Sequence, residues 1–203
     1  MAEPGLERLS LNMWTTRHWS LPDAVDGCVR AGIPGIGLWR EKVAETGLAE
    51  TARLITVSGL TVTSLCRGGF FTGLAAGGAA AADNRLAIEP LHPMFCADRG
   101  VISTLGQALD LADRVAAETG CRNVGVCVDT YHVWWDPDVM TQIARAGERI
   151  YAFQACDFLV PIPADTLLGR GHVGDGVADI PALARAVAAA GYRGFTEVEI
   201  FNA

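Results

Sequence analysis

Val124-Gly-Val-Cys-Val-Asp129 is a strand without a polar face: small and apolar residues follow one another without alternation until the run ends on an acid. A strand with one wet side would alternate. This run therefore belongs in a sheet covered on both faces, the situation of parallel strands packed under helices. Upstream, Thr104-Leu-Gly-Gln107 reads as a capping box opening a helix, with Leu105, Ala108, Leu109, Ala112 and Val115 at helical spacing. Downstream, Asp136-Pro137 reads as an N-cap followed by proline at the first helical position, and the next apolar run covers 150–156.

The same rhythm extends to both ends of the chain. Strands are expected at 9–14, 36–39, 60–66, 86–89 and 195–201. Between them, Ser20-Leu-Pro-Asp23 caps a helix that places Ala24, Val25, Cys28 and Val29 on one face and stops at Gly32. A second helix covers 48–57 and ends at Gly59, and Asp179-Ile-Pro181 opens the last one, which runs to Gly191. Seven strands separated by helices define an α/β protein, either a (β/α) TIM-type barrel or an open doubly wound sheet. No G-x-G-x-x-G follows the first strand and no Walker A loop occurs, so the barrel is favoured, as a single domain over 1–203.

One stretch breaks the rhythm. Residues 67–86 are rich in glycine and alanine, make a poor helix and hold one crossover at most. A closed barrel of this type has eight strands, so the expectation is seven, lacking roughly one βα unit.

Composition narrows the function. Half of the 203 residues are apolar, which supports a real core, and 19% are charged against a usual level of about 25%. The net charge of −7, from 23 acids and 16 bases with no basic cluster, argues against nucleic acid and anionic membrane surfaces. The longest uncharged stretch, 68–82, is too short and too glycine-rich to span a bilayer. The N-terminus has neither a basic n-region nor an apolar h-region. Cys28, Cys66, Cys96, Cys121, Cys127 and Cys156 form no C-x-x-C pair and read as reduced thiols, so a cytoplasmic location is expected.

In a parallel barrel the reactive side chains gather at the carboxyl ends of the strands. There the sequence offers Ile88-Glu89-Pro-Leu-His92, Val128-Asp129-Thr-Tyr-His132, Gln154 between Phe153 and Ala155 with Asp157 after it, and Glu197-Val-Glu199. A carboxylate inside an apolar strand costs several kcal/mol unless something compensates it. Oxygen ligands from four strands aimed at one axis would do so by holding a divalent cation, and oxygen-only ligation suits Mg²⁺ or Mn²⁺ better than zinc. Helix capping and ion pairing are the plain alternatives for any one of these acids, and Asp136 reads as a cap. Glu197 and Glu199, two apart, share a face, and spacing alone does not choose between them. Trp14, Trp39, Phe70 and Phe71 sit at or just after strand ends, where they could wall a sugar pocket or belong to the core.

Taken together, Leu86-Ala-Ile-Glu-Pro-Leu-His-Pro93, Val128-Asp-Thr-Tyr-His132, Phe153-Gln-Ala-Cys-Asp157, Gly169-Arg-Gly-His-Val-Gly-Asp-Gly176 and Glu197-Val-Glu-Ile-Phe201 resemble the xylose isomerase-like TIM barrels. That group includes sugar and sugar-acid isomerases and epimerases such as hydroxypyruvate isomerase and tagatose 3-epimerase. The resemblance extends over the whole chain, with an apparent internal deletion between Arg85 and Leu86. It implies a metal site of Glu89, Asp129, Gln154 and Glu199, with Gln154 where the epimerases usually have His. It also implies Arg170 as a substrate anchor and His132 as a substrate contact; His92 and Trp14 are further substrate-binding candidates from their strand-end positions alone, where a structural role is the alternative.

The implied activity is isomerisation or epimerisation of a small sugar or keto acid, a step of carbohydrate metabolism. Glu89 and Glu199 would act as the proton-transferring pair, through an enediolate stabilised by one Mn²⁺ or Mg²⁺. Two alternatives stand beside it: an inosose dehydratase-like lyase, and a non-catalytic sugar-binding or scaffold relative. Apurinic endonucleases share the superfamily, but the charge of −7 and only four histidines fit that chemistry poorly. Because losing a strand exposes sheet edges, a homo-oligomer is expected.

Overall fold

The computed structural model describes residues 5–67 and 84–202. Seven parallel strands form one sheet: β1 (Leu9–Asn12), β2 (Gly35–Trp39), β3 (Thr61–Cys66), β4 (Leu86–Ile88), β5 (Val124–Asp129), β6 (Ile150–Ala155) and, last in the chain, β9 (Thr196–Val198). Their order is β3-β2-β1-β9-β6-β5-β4, so β3 and β4 are the two edges. A short antiparallel pair, β7 (Asp157–Phe158) with β8 (Arg170–Gly171), stands apart from it. The sheet curls until its two edges approach. Cys66 of β3 and Glu89, just after β4, line one cavity, and Glu197 of β9 hydrogen-bonds Thr63 and Ser64 of β3 across the lumen.

The helices are α1 (Leu21–Ala31), α2 (Arg40–Thr46), α3 (Leu48–Ser58), α4 (Leu105–Thr119), α5 (Thr130–Val133), α6 (Val139–Ala146) and α7 (Ile180–Ala189). Ser20 and Asp23 form the expected capping box on α1, and Thr104 and Gln107 form that on α4. Gly32 and Gly59 end α1 and α3 in the left-handed region, at φ 68° and 71°. Apolar stripes then face the sheet. Val126 and Val128 of β5 pack under Leu105 and Leu109 of α4, Ile143 of α6 and Leu183 of α7. Burying each such side chain contributes about 1.5–3 kcal/mol. The alternate residues of β5, Cys127 and Asp129, face the lumen, which is why the strand reads as apolar throughout.

The expected elements differ in detail. Asp136 is not the cap of α6: the helix starts three residues later, and Asp136 Oδ1 accepts the Asp138 N–H at 2.9 Å, closing a turn ahead of it. The last strand is three residues rather than seven, because from Glu199 onward the chain turns to the β7–β8 segment, with the Arg170 N–H donating to Phe201 O at 3.1 Å. Helix α2 and the β7–β8 pair have no counterpart in the sequence reading. All six cysteines are free thiols. Among the described residues no helix is long and apolar enough to cross a membrane. Phe70, Phe71 and most of the glycine-rich stretch lie outside the described residues.

Candidate active site

Asp129 ends β5 and is fully buried. Its Oδ1 accepts the Tyr131 N–H at 2.8 Å and its Oδ2 accepts from Arg170 Nη1 at 2.9 Å. Burial alone would raise this carboxyl; Arg170, His132 and the Tyr131 N–H together hold it below its ordinary value. Glu89 shares a hydrogen bond with it, and burial together with the Asp129 charge pushes Glu89 up to about 8. The two carboxyls titrate as one pair, in which the proton is favoured on Glu89.

Glu199, one residue past β9, accepts Arg170 Nη1 on Oε2 at 2.9 Å. Its Oε1 accepts Asn12 Nδ2 at 3.0 Å and Gln154 Nε2 at 3.2 Å. Burial raises it well above the usual carboxylate range. Glu197 shares its face, as the spacing predicts, and lies deeper. It accepts from Asn12 Nδ2 (2.7 Å), Gln154 Nε2 (3.0 Å), Thr63 Oγ1 (2.7 Å) and Ser64 Oγ (2.8 Å). A register shift between Ile36 and Gly37 of β2 leaves Thr63 as an extra residue in β3. The bulge aims two successive hydroxyls at one carboxylate.

Among the described residues Arg170 is the one guanidinium that is buried with these polar groups. Its guanidinium lies between the rings of Phe201 (4.0 Å) and Tyr131 (4.6 Å) and bridges Asp129 and Glu199. His132 receives the His92 backbone N–H on Nδ1 at 3.0 Å, and its Nε2 lies 3.3 Å from Arg170 Nη2. The same Nε2 faces Asp129 Oδ2 at 3.7 Å and Glu89 Oε1 at 3.9 Å. Burial lowers the imidazole to about 3, so it is neutral at ordinary pH.

A cavity of about 190 Å³ opens over this cluster, with Glu89, Glu199, His132 and Arg170 in its wall. The other expected substrate contacts stand back from it. Trp14 stacks behind Trp39 at 4.3 Å, and it is Trp39 that faces the cavity with Phe201. His92 stacks on Phe158 at 5.1 Å and acts through its backbone N–H on His132.

Glu89, Asp129, Gln154 and Glu199 are linked in one chain of contacts but do not form one coordination sphere. Among the described residues, the His, Cys, Asp and Glu side chains close enough to share an ion are Glu89, Asp129 and His132, and separately Cys66, Glu197 and Glu199. Arg170 stands between them. The donor chemistry fits a hard divalent cation, because carboxylates outnumber the buried guanidinium in the lumen. Sequence reasoning missed Asn12 and Arg99, the latter a cavity-lining residue. Asn12 had a signal: in Leu9-Ser-Leu-Asn-Met13 the polar residues alternate with apolar ones, and Ser10 and Asn12 are fully buried.

A curled parallel sheet with acids, an amide and an arginine at the carboxyl ends of its strands defines a barrel protein whose site is built on the βα side. The family model for the xylose isomerase-like TIM barrel matches residues 66–203, and the chain belongs to that family. A crystal structure of a protein from Sinorhizobium meliloti 1021 is 40% identical, covering 98% of this chain and 90% of that one, with a TM-score of 0.88. The probable 3-DHS dehydratase AsbF of Bacillus anthracis shares the fold at 15% identity, over 96% and 93% of the chains, with a TM-score of 0.68. So does D-psicose 3-epimerase of Clostridium cellulolyticum H10, at 13% identity, 96% and 85% coverage and a TM-score of 0.66. No curated protein matches the sequence.

Proposed function

We propose that this protein is a divalent-cation-dependent isomerase or epimerase of a small sugar or keto acid, transferring a proton between adjacent carbons or between the two faces of one carbon. The observation that carries the reading is the gathering of acids at one cavity: Glu89 and Glu199 stand in its wall with His132 and Arg170, and buried Asp129 is joined to Glu199 through Arg170. Two glutamates facing one small space can serve as an acid–base pair.

Glu89 and Asp129, the acids that come within reach of one ion, would hold the cation. When bound, Mn²⁺ or Mg²⁺ supplies Lewis-acid stabilisation of the oxyanion that develops on the substrate. One glutamate takes the proton beside the carbonyl and the other returns one, while His132 Nε2 contacts a substrate oxygen. Arg170, released from Asp129 and Glu199, anchors the substrate.

The test has two parts. Metal-stripped protein is melted with and without Mn²⁺, beside Glu89→Gln: wild type should gain about 2.7 kcal/mol at a hundredfold excess over Kd, and the variant markedly less. Wild type incubated in D₂O with candidate ketoses should then exchange the proton beside the carbonyl, and Glu199→Gln should not. Equal melts with and without Mn²⁺, or undiminished exchange in Glu199→Gln, would overturn the assignment. A new ultraviolet-absorbing product would move it to a dehydratase.

A further inference from the structure

The two acids that flank Arg170 each keep one oxygen on neutral donors. Asp129 Oδ1 accepts the Tyr131 N–H at 2.8 Å, and Glu199 Oε1 accepts Asn12 Nδ2 at 3.0 Å and Gln154 Nε2 at 3.2 Å. The other oxygen of each, Asp129 Oδ2 and Glu199 Oε2, accepts from one and the same nitrogen, Arg170 Nη1, at 2.9 Å. Asp129 Oδ2 is also the oxygen that faces His132 Nε2, at 3.7 Å, on the side of Glu89. It is therefore the Asp129 atom that an ion shared with Glu89 would take. An ion about 2.1 Å from that oxygen would lie at most about 5 Å from the Arg170 nitrogen that now holds it. Among buried groups, repulsion between two cations at that range is screened far less than in water.

Resting on the cation-dependent reading above, we infer that Arg170 is the cation's internal rival: guanidinium and ion compete for Asp129 Oδ2, and loading the ion expels the guanidinium from the two acids into the cavity. The side chain is placed for such an exchange. Its backbone is fixed, because β8 pairs with β7 and the Arg170 N–H donates to Phe201 O at 3.1 Å. Its head lies between the rings of Phe201 and Tyr131, at 4.0 Å and 4.6 Å, and forms part of the cavity wall. A cation can slide along ring faces and keep part of its attraction to them. Arg170 Nε is buried and, among the described residues, has no hydrogen-bond partner, so a shift toward the cavity gives that nitrogen the water it lacks. The exchange links two events. Without the ion the guanidinium serves the acids; with it, the guanidinium is presented to a ligand and Glu199 Oε2 is uncovered in the same step.

Two readouts test this, neither of them activity. Mn²⁺ is titrated into stripped wild type and stripped Arg170→Met, with free Mn²⁺ followed by electron paramagnetic resonance. Removing a rival tightens binding: the variant should bind Mn²⁺ about tenfold more tightly, within the range of about 5–150-fold usual for coupled sites. Stripped and Mn²⁺-loaded wild type are then treated with butanedione, and the arginine adducts are mapped by mass spectrometry. Arg170, 2% exposed, should react slowly in the stripped protein and severalfold faster in the loaded one. Arg30 and Arg53, exposed on α1 and α3, should keep constant rates. An Arg170 that only supports the site predicts the reverse, weaker binding by the variant and greater protection on loading. Unchanged or weaker Mn²⁺ binding by a cooperatively melting Arg170→Met, or Arg170 reactivity that stays level or falls on loading, would overturn the inference and leave the cation reading intact. Where Arg170→Met does not melt cooperatively, the wild-type reactivity alone decides. Wild type that binds no Mn²⁺ would instead remove the reading on which the inference rests.

Discussion

Asn12 holds the centre of the lumen together. Its Nδ2 serves both Glu197 and Glu199, and its Oδ1 accepts Trp39 Nε1 at 2.7 Å and the Trp14 N–H at 3.0 Å. Asn12→Ala strands several buried polar groups at once, and at about 1–3 kcal/mol for each group left unsatisfied the expected loss is about 2–4 kcal/mol by denaturant melts. A loss under 1 kcal/mol would show that the two glutamates do not depend on it. His132 gives a pH signature. Its folded value of about 3 lies below the unfolded 6.5, so between those values the unfolded state binds more protons and stability falls as pH falls. At about 1.4 kcal/mol per unit, this group removes about 3 kcal/mol between pH 7 and pH 4. Glu89 works in the opposite sense, since its raised folded value makes the folded state the better proton binder between 4.5 and about 8. The measurement is therefore the difference between wild type and His132→Gln, which should shrink toward acid pH; parallel curves would refute it. At this scale the strand-end acids were legible because an acid in an apolar run is conspicuous. Asn12 gave only the weak signal of polar residues alternating in a short apolar run, and Arg99 gave none, because it sits on a loop whose path no periodicity encodes.

Among the elements, the bulge in β3 does the most for the site. It turns Thr63 and Ser64 together onto Glu197, and Gly37 on the facing strand leaves room for the carboxylate: a Cβ there would lie 2.7 Å from Glu197 Oε2 and 2.8 Å from Oε1. Gly37→Ala must therefore displace a carboxylate held by four side chains. Overpacking of this kind costs about 1–3 kcal/mol, and the displaced charge also disturbs Gln154 and Asn12. Melting of metal-stripped Gly37→Ala should show that loss; an unchanged midpoint would mean that the lumen is looser than described. Helix starts and stops were readable here, because Ser20, Thr104, Asp179, Gly32 and Gly59 do local work that needs no tertiary partner. The bulge and the β7–β8 pair were not, since both are set by contacts between distant segments. Arg170 is held where it is by residues 129 and 199, which its own neighbours do not announce.

At the scale of the molecule, a sheet whose described strands pair on neither outer edge has to manage those edges. Among the described residues β3 pairs with β2 alone. The bulge that turns Thr63 and Ser64 inward leaves Val62 and Leu65 pointing out, 43% and 57% exposed. The same sequence feature thus builds the site on the inner face and leaves apolar side chains on the outer one, where a complete barrel would lay a helix. Covering that strand with a second copy of the chain removes both the apolar exposure and the free edge. The sedimentation mass should therefore be a multiple of the 21.5 kDa chain, and Leu65→Lys, a substitution on an already exposed position, should shift it toward the monomer without unfolding the protein. A wild-type monomer at all concentrations would show that the edge is tolerated unpaired. An oligomer indifferent to Leu65→Lys would place the contact elsewhere, away from the strand whose bulge shapes the lumen.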